Sequence, residues 1–259
     1  YYKFSIPISM LMVFLAFMIV STDYVGPQKD ISSCESDDQI QVICDFINSE
    51  DIVITPDKKF LFMSQMGSIA PWGENESGYF AIMDLSNNKK IIPKITLEEN
   101  TWGEETCSRK DDDEYGPHGI DLVERNDGRY QIGVISHHPK ESVEMFELKK
   151  NDLSWEIIWR GCVNVPDKFY FNDLSLKKDG SFYASHMYKR DITMNEWFMI
   201  ALLKNNSGNI VLWENSNFTE IEGSEGSSPN GLVLDEESNT LYISYNLDDK
   251  VTIFDLSNN

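Results

Sequence analysis

From about residue 41 to the end, apolar positions come in short runs, many alternating with polar residues and broken at close intervals by Asp, Asn, Gly and Lys. That pattern predicts strands joined by tight turns, and no long amphipathic helix interrupts it. The pattern also repeats. Tyr79–Asn88 (YFAIMDLSNN) returns at the end of the chain as Val251–Asn259 (VTIFDLSNN), with weaker copies at Val143–Lys150 and Trp197–Asn206. Each copy follows another strand entered through a polar turn: Pro56–Met63, Asn126–Gly133, Lys178–Ser185 and Glu237–Ser244. A small antiparallel sheet cannot bury both of its faces alone, so four such units predict stacked blades and an all-β fold, the β-propeller. A propeller must close its ring, and four blades is the low end of the range. Residues 41–259 therefore read as an incomplete propeller domain that stops on an edge strand.

The first stretch differs. Phe4–Val20 is almost wholly apolar and carries no charge, which predicts an N-terminal hydrophobic helix within residues 1–22 acting as a signal peptide or signal anchor. Val20-Ser21-Thr22-Asp23 makes a poor cleavage site, which favours an uncleaved anchor, and residues 23–40 form a polar linker. With no Met at position 1, the start is expected to lie upstream. Cys34, Cys44, Cys107 and Cys162 all follow this segment, so the protein is expected outside the cytoplasm, secreted or membrane-anchored, with two disulfides. Four cysteines allow three pairings; Cys34 with Cys44 and Cys107 with Cys162 is the expected one. Sequons at Asn75, Asn205 and Asn217 would make it a glycoprotein in a host that glycosylates.

The chain has 43 acidic against 22 basic residues and a formal net charge of −21. Such a field repels phosphate backbones, which excludes nucleic acid as a partner. The acidity is compatible with gathering hard cations, although most of it is solvated surface. The run Asp111, Asp112, Asp113, Glu114 belongs to that surface, since adjacent like charges cannot all converge on one ion.

Just before each polar turn comes the strand that lines a propeller's axis. Those positions read Ser49-Glu50-Asp51-Ile52, Pro117-His118-Gly119-Ile120-Asp121, Phe171-Asn172-Asp173-Leu174 and Pro229-Asn230-Gly231-Leu232. Carboxylates, carboxamides and one imidazole at equivalent places form a ring of hard oxygen donors plus a possible base, which suits calcium. No Gly-x-Ser-x-Gly elbow or phosphate loop is present.

These segments and the later His137-His138-Pro139, in this order and spacing, resemble the paraoxonase/arylesterase family within the senescence-marker-protein and gluconolactonase superfamily, over roughly residues 44–259. The resemblance implies a six-bladed propeller whose tunnel holds two calcium ions, one catalytic and one structural. Glu50, Asn172 and Asn230 match ligands of the catalytic ion; Asp51 and Asp173 match ligands of the structural one. His118 matches the first histidine of the family's dyad and His138 the second, while His137, offset by one, is expected to face the other side of its strand. The family's remaining ligands, an Asp-Asn pair on the fifth blade, fall beyond this chain. The implied activity is calcium-dependent hydrolysis of a small-molecule ester or lactone, with His118 as general base. A sugar-lactone hydrolase of the gluconolactonase type is the alternative enzyme, and a non-catalytic propeller that binds a partner on its rim is the alternative from another class.

Overall fold

The computed structural model describes residues 33–151 and 155–258. The hydrophobic segment expected within residues 1–22, and residues 23–32 of the expected linker, lie outside the described residues. Two compact units divide the chain, Tyr1–Cys44 and Asp45–Asn259. In the first, Cys34 is bonded to Cys44, and Asp37 accepts from the amides of Gln39 and Ile40.

The second unit is an all-β arrangement of four propeller blades. The first blade orders β1 (Ser49–Ile54), β2 (Phe60–Gln65), β3 (Tyr79–Asp84) and β4 (Lys89–Ile91) from axis to rim. In the second, β6 (Pro117–Glu124), β7 (Tyr130–Ser136), β8 (Ser142–Lys150) and β9 (Trp155–Asn164) are followed by β5 (Ile95–Leu97), which pairs parallel to β9. β10 (Phe171–Leu176), β11 (Phe182–His186), β12 (Asn209–Glu214) and β13 (Asn217–Glu220) make the third. β14 (Pro229–Asp235), β15 (Thr240–Tyr245) and β16 (Lys250–Asp255) make the fourth.

Repeated residues perform repeated local jobs. In the hairpin after each inner strand an aspartate accepts from the amide two residues on: Asp57 from Lys59, Asp127 from Arg129, Asp179 from Ser181 and Asp235 from Glu237. A carboxylate that closes its own turn fixes the hairpin without tertiary help. The recurring Asp-Leu-Ser works the same way, with Asp84 capping Ser86 and Asp255 capping Ser257.

Each blade face becomes core only against its neighbour. Phe62, Phe80 and Ile82 of the first blade pack with Ile120, Ile132 and Phe146 of the second. Val143, Met145 and Val163 pack with Phe171, Leu174 and Phe182 of the third, and Tyr183 and Ile210 pack with Leu232, Leu241 and Ile243 of the fourth. Cys107 and Cys162 form a second disulfide, buried in the second blade.

One expected strand is a helix. Trp197–Asn206 read as a third-blade strand, yet Met194–Leu203 forms α1, and Asn209–Glu214 supplies the strand instead. Thr193 and Glu196 make a reciprocal capping box that settles the first turn. Met, Glu, Ala and Leu then favour the helix, while the β-branched Ile210 and Val211 go to the sheet. α1 buries none of its residues fully, but Trp197 and Ile200 pack on a cluster of Ile69, Tyr170, Met187, Tyr188 and Ile192.

Candidate active site and metal-binding hub

The four inner strands share a register break where the polar residues sit: between Ser49 and Asp51, Pro117 and Ile120, Phe171 and Leu174, and Pro229 and Leu232. On a regular strand neighbouring side chains face opposite ways, whereas a bulge re-aims them. Glu50 and Asp51, and likewise Asn172 and Asp173, therefore line one small cavity of about 90 Å³ together with His118 and Asn230. All five residues expected to bind metal converge there. Gly119 permits it, because a Cβ at that position would come within 2.6 Å of Asn172 O, Asp173 Cα and Asp173 Oδ1.

Three aspartates tie the hub together. Asp51 accepts from the amide of Ile120 at 2.8 Å, Asp121 from Leu176 at 2.8 Å and Asp173 from Leu232 at 2.7 Å, each bond crossing to the next blade. Burial pushes the carboxyl groups of all three up, and repulsion from Asp51 adds to the rise at Asp173. Crowded, largely buried carboxylates favour a proton or a cation between them. Among the described residues no three His, Cys, Asp or Glu side chains form a metal-holding group by themselves, so the hub depends on the amide oxygens of Asn172 and Asn230 as well. An all-oxygen set of this kind fits a hard cation such as calcium, not zinc.

His118 is buried at the cavity wall, and Nε2 lies 3.2 Å from Glu50 Oε1 and 3.1 Å from Asn172 Nδ2. Burial pushes the imidazole pKa down, against the opposing pull of Glu50, while the bond to His118 holds the Glu50 carboxyl below its usual value. Nδ1 of His118 meets Nε2 of His137 at 2.8 Å. The structure thus places His137, rather than His138, beside His118. β7 ends at Ser136, so strand alternation no longer governs the direction of His137, and its ring turns inward. His138 is about a third exposed in its side chain and faces Asn75 O at 3.4 Å and Glu114 Oε2 at 3.9 Å.

Behind His137 lies Glu141, with both carboxylate oxygens within 2.9 Å of Nδ1. His137 was expected to face away from His118, and Glu141 carried no sequence signal beyond standing four residues after it in one loop. His186, whose pKa burial lowers, bonds through Nδ1 to the backbone of Tyr170, away from the hub.

Above the hub opens a chamber of about 170 Å³, reached by Glu50, His118, Asn172 and Asn230 and walled by Met66, Ile69, Trp72, Tyr188 and Trp197 together with the polar Ser228 and Asn246. Trp72 and Trp197 meet edge to face with ring centroids 5.0 Å apart. The sequence had not pointed to this wall, because α1 was read as a strand.

Fold and site together define a β-propeller with oxygen donors and an imidazole converging at the hub, below a chamber walled in part by aromatic rings. The chain belongs to the arylesterase family, whose model matches residues 47–259. No curated protein matches it. Among solved structures it is similar to a protein provisionally described as a gluconolactonase, at 13% identity and TM-score 0.40, over 85% of this chain and 60% of that one. The β-propeller domain of Cps50 (Swd1) from Myceliophthora thermophila shows 14% identity and TM-score 0.43, over 80% and 54%. A protein provisionally described as a 6-phosphogluconolactonase from Bacteroides uniformis shows 11% identity and TM-score 0.36, over 80% and 67%. The chain spans about 60% of the length of the first of these.

Proposed function

We propose that this chain carries the hub of a calcium-dependent hydrolase of carboxylic esters or lactones, active outside the cytoplasm. The observation that carries the reading is the convergence of Glu50, Asn172, Asn230 and His118 on one cavity below a larger chamber, in a chain of the arylesterase family. Glu50, Asn172 and Asn230 would hold the catalytic calcium, with Asp51 and Asp173 holding the structural one. The chemistry a bound calcium supplies is Lewis-acid polarisation of the carbonyl and stabilisation of the charge that develops on its oxygen.

The chain's own residues do the rest. His118 Nε2, at the cavity wall, accepts a proton from the attacking water as its oxygen bonds to the carbonyl carbon. The proton then passes to the departing alkoxide or phenoxide oxygen as the C–O bond breaks. Met66, Ile69, Trp72, Tyr188 and Trp197 seat an apolar group and exclude water. Ser228, Asn230 and Asn246 add polar groups to the same wall, so an aryl ester, an alkyl lactone and a sugar lactone all find partners there, and turnover of the three separates them. Two disulfides support an extracytoplasmic setting.

The test is hydrolysis of a phenyl ester, an alkyl lactone and a sugar lactone by the protein with and without calcium. Loss of turnover on chelation, restored by calcium, is the expected result. Activity that survives chelation overturns the reading, and calcium binding without turnover of any of the three points to a non-catalytic propeller.

A further inference from the structure

We propose that Arg109, which lies outside the hub, is the positioning residue that seats His137 against His118, by holding the backbone on either side of His137. The inference rests on the reading of His118 as the base, with His137 acting through it.

No strand fixes His137, because β7 ends one residue earlier at Ser136. The contacts that fix it run through its two neighbours. Nη2 of Arg109 lies 3.4 Å from Ser136 Oγ and 3.3 Å from His138 O, and Ser136 Oγ itself donates to His138 O at 3.0 Å. The Ser136 hydroxyl also accepts from Gly116 N at 3.1 Å, and His137 N donates to Gly116 O at 2.9 Å. Gly116 stands two residues before His118. One guanidinium therefore reaches, through Ser136, both segments that carry the buried rings.

Arg109 is itself pinned. Its side chain is 2% exposed, and Nε and Nη2 donate at 3.0 and 2.8 Å to Oε1 of the buried Glu144. Ser142 Oγ donates to the same oxygen at 2.6 Å and Trp159 Nε1 to Oε2 at 2.7 Å, so the carboxylate cannot swing. Nη1 donates to Glu114 O at 2.8 Å, and the Tyr115 ring packs against the guanidinium, 4.4 Å from centroid to Cζ. Apolar residues of similar volume often stabilise a fold as well as a buried ion pair does. What the planar fork adds is direction: its donors hold a carboxylate, a hydroxyl and two carbonyls at once, which the single point of a lysine ammonium does not.

The experiment compares the full chain with Arg109→Lys and, as a control, with Arg160→Lys, which weakens an ion pair of the same blade, that of Arg160 with Glu147. Arg109→Lys keeps a charge opposite Glu144 and loses the fork. It is expected to lower kcat roughly 10- to 100-fold with KM little changed. Calcium affinity by calorimetry should match the wild type, since Glu50, Asn172 and Asn230 are untouched. In its crystal structure the separation of His118 Nδ1 and His137 Nε2, 2.8 Å here, is expected to exceed about 3.5 Å. Arg160→Lys should lower stability and change neither kcat nor that separation. A separation kept at hydrogen-bond distance in Arg109→Lys, or a fall in kcat no larger than that of Arg160→Lys, overturns the proposal. If Arg109→Lys does not fold, Arg109→Met combined with Glu144→Gln is judged by the same two criteria; it removes both charges and leaves Trp159 and Ser142 an acceptor. Because the separation is read without turnover, a protein that hydrolyses nothing sinks the hydrolase reading alone, and the separation then decides this one.

Discussion

Nδ1 of His118 lies 2.8 Å from Nε2 of His137, and both rings are buried. The next residue, His138, faces the other way. A one-residue difference thus decides which histidine can act through His118, and it gives a direct test. His137→Gln is expected to lower kcat by roughly 100-fold, within the usual range for acid–base groups, while His138→Gln changes it by less than about 3-fold. Steady-state kinetics on a phenyl ester compares the two. Equal losses would contradict the placement.

Removing a hub carboxylate should act first on the metal. Glu50→Gln takes away one formal charge, and calcium affinity follows ligand charge, so calorimetry is expected to show a loss on the order of 100-fold. His118→Gln should bind calcium as the wild type does while turning over far more slowly. If both variants behave alike, Glu50 and His118 do not hold the separate roles assigned to them.

The chamber wall should govern selectivity. Trp197→Ala removes one ring of the edge-to-face pair with Trp72 and opens the space over the hub. An aryl substrate that loses this ring as a neighbour gives up about 1 kcal/mol, so KM for an aryl ester is expected to rise roughly five-fold. A small aliphatic lactone should be affected less. A uniform change across substrates would point to a global fault instead.

Glu196 provides a pH signature for α1. Its carboxyl is pulled down to about 2, chiefly by the Lys189 ammonium and then by the bonds from Thr193. A depressed acid stabilises the folded form above its unfolded value and ceases to do so as pH falls through its folded value. Trp197 fluorescence should therefore report loosening of α1 between about pH 4.5 and 2, and Glu196→Gln should remove that pH dependence. A transition of the same shape in the variant would refute it.

Cys107 and Cys162 are 55 residues apart. A crosslink closing a loop of that size restricts the unfolded chain by about 4 kcal/mol. Replacing both with Ser should lower unfolding free energy by that order in denaturant titrations, with the hub's chemistry unchanged because the disulfide lies away from it. A change below about 1 kcal/mol would show that the unfolded chain is already compact.

The sequence by itself determined the repeat, the strand and turn order, the inner-strand positions and the polar set Glu50, Asp51, His118, Asn172, Asp173 and Asn230. Those features are local: alternation, turn-closing aspartates and recurring segments are written in neighbouring residues. The same local signals misread α1, since an apolar stretch fits strand or helix until Thr193 and Glu196 close a cap. Only the tertiary structure decided that adjacent residues such as Glu50 and Asp51 share a cavity, because that takes a bulge pressed against the next blade. It alone also chose His137 over His138 and set Glu141 behind it. Those choices turn on where β7 stops and which way a loop points once the second and third blades have packed, and such long-range contacts leave no periodic trace along the chain.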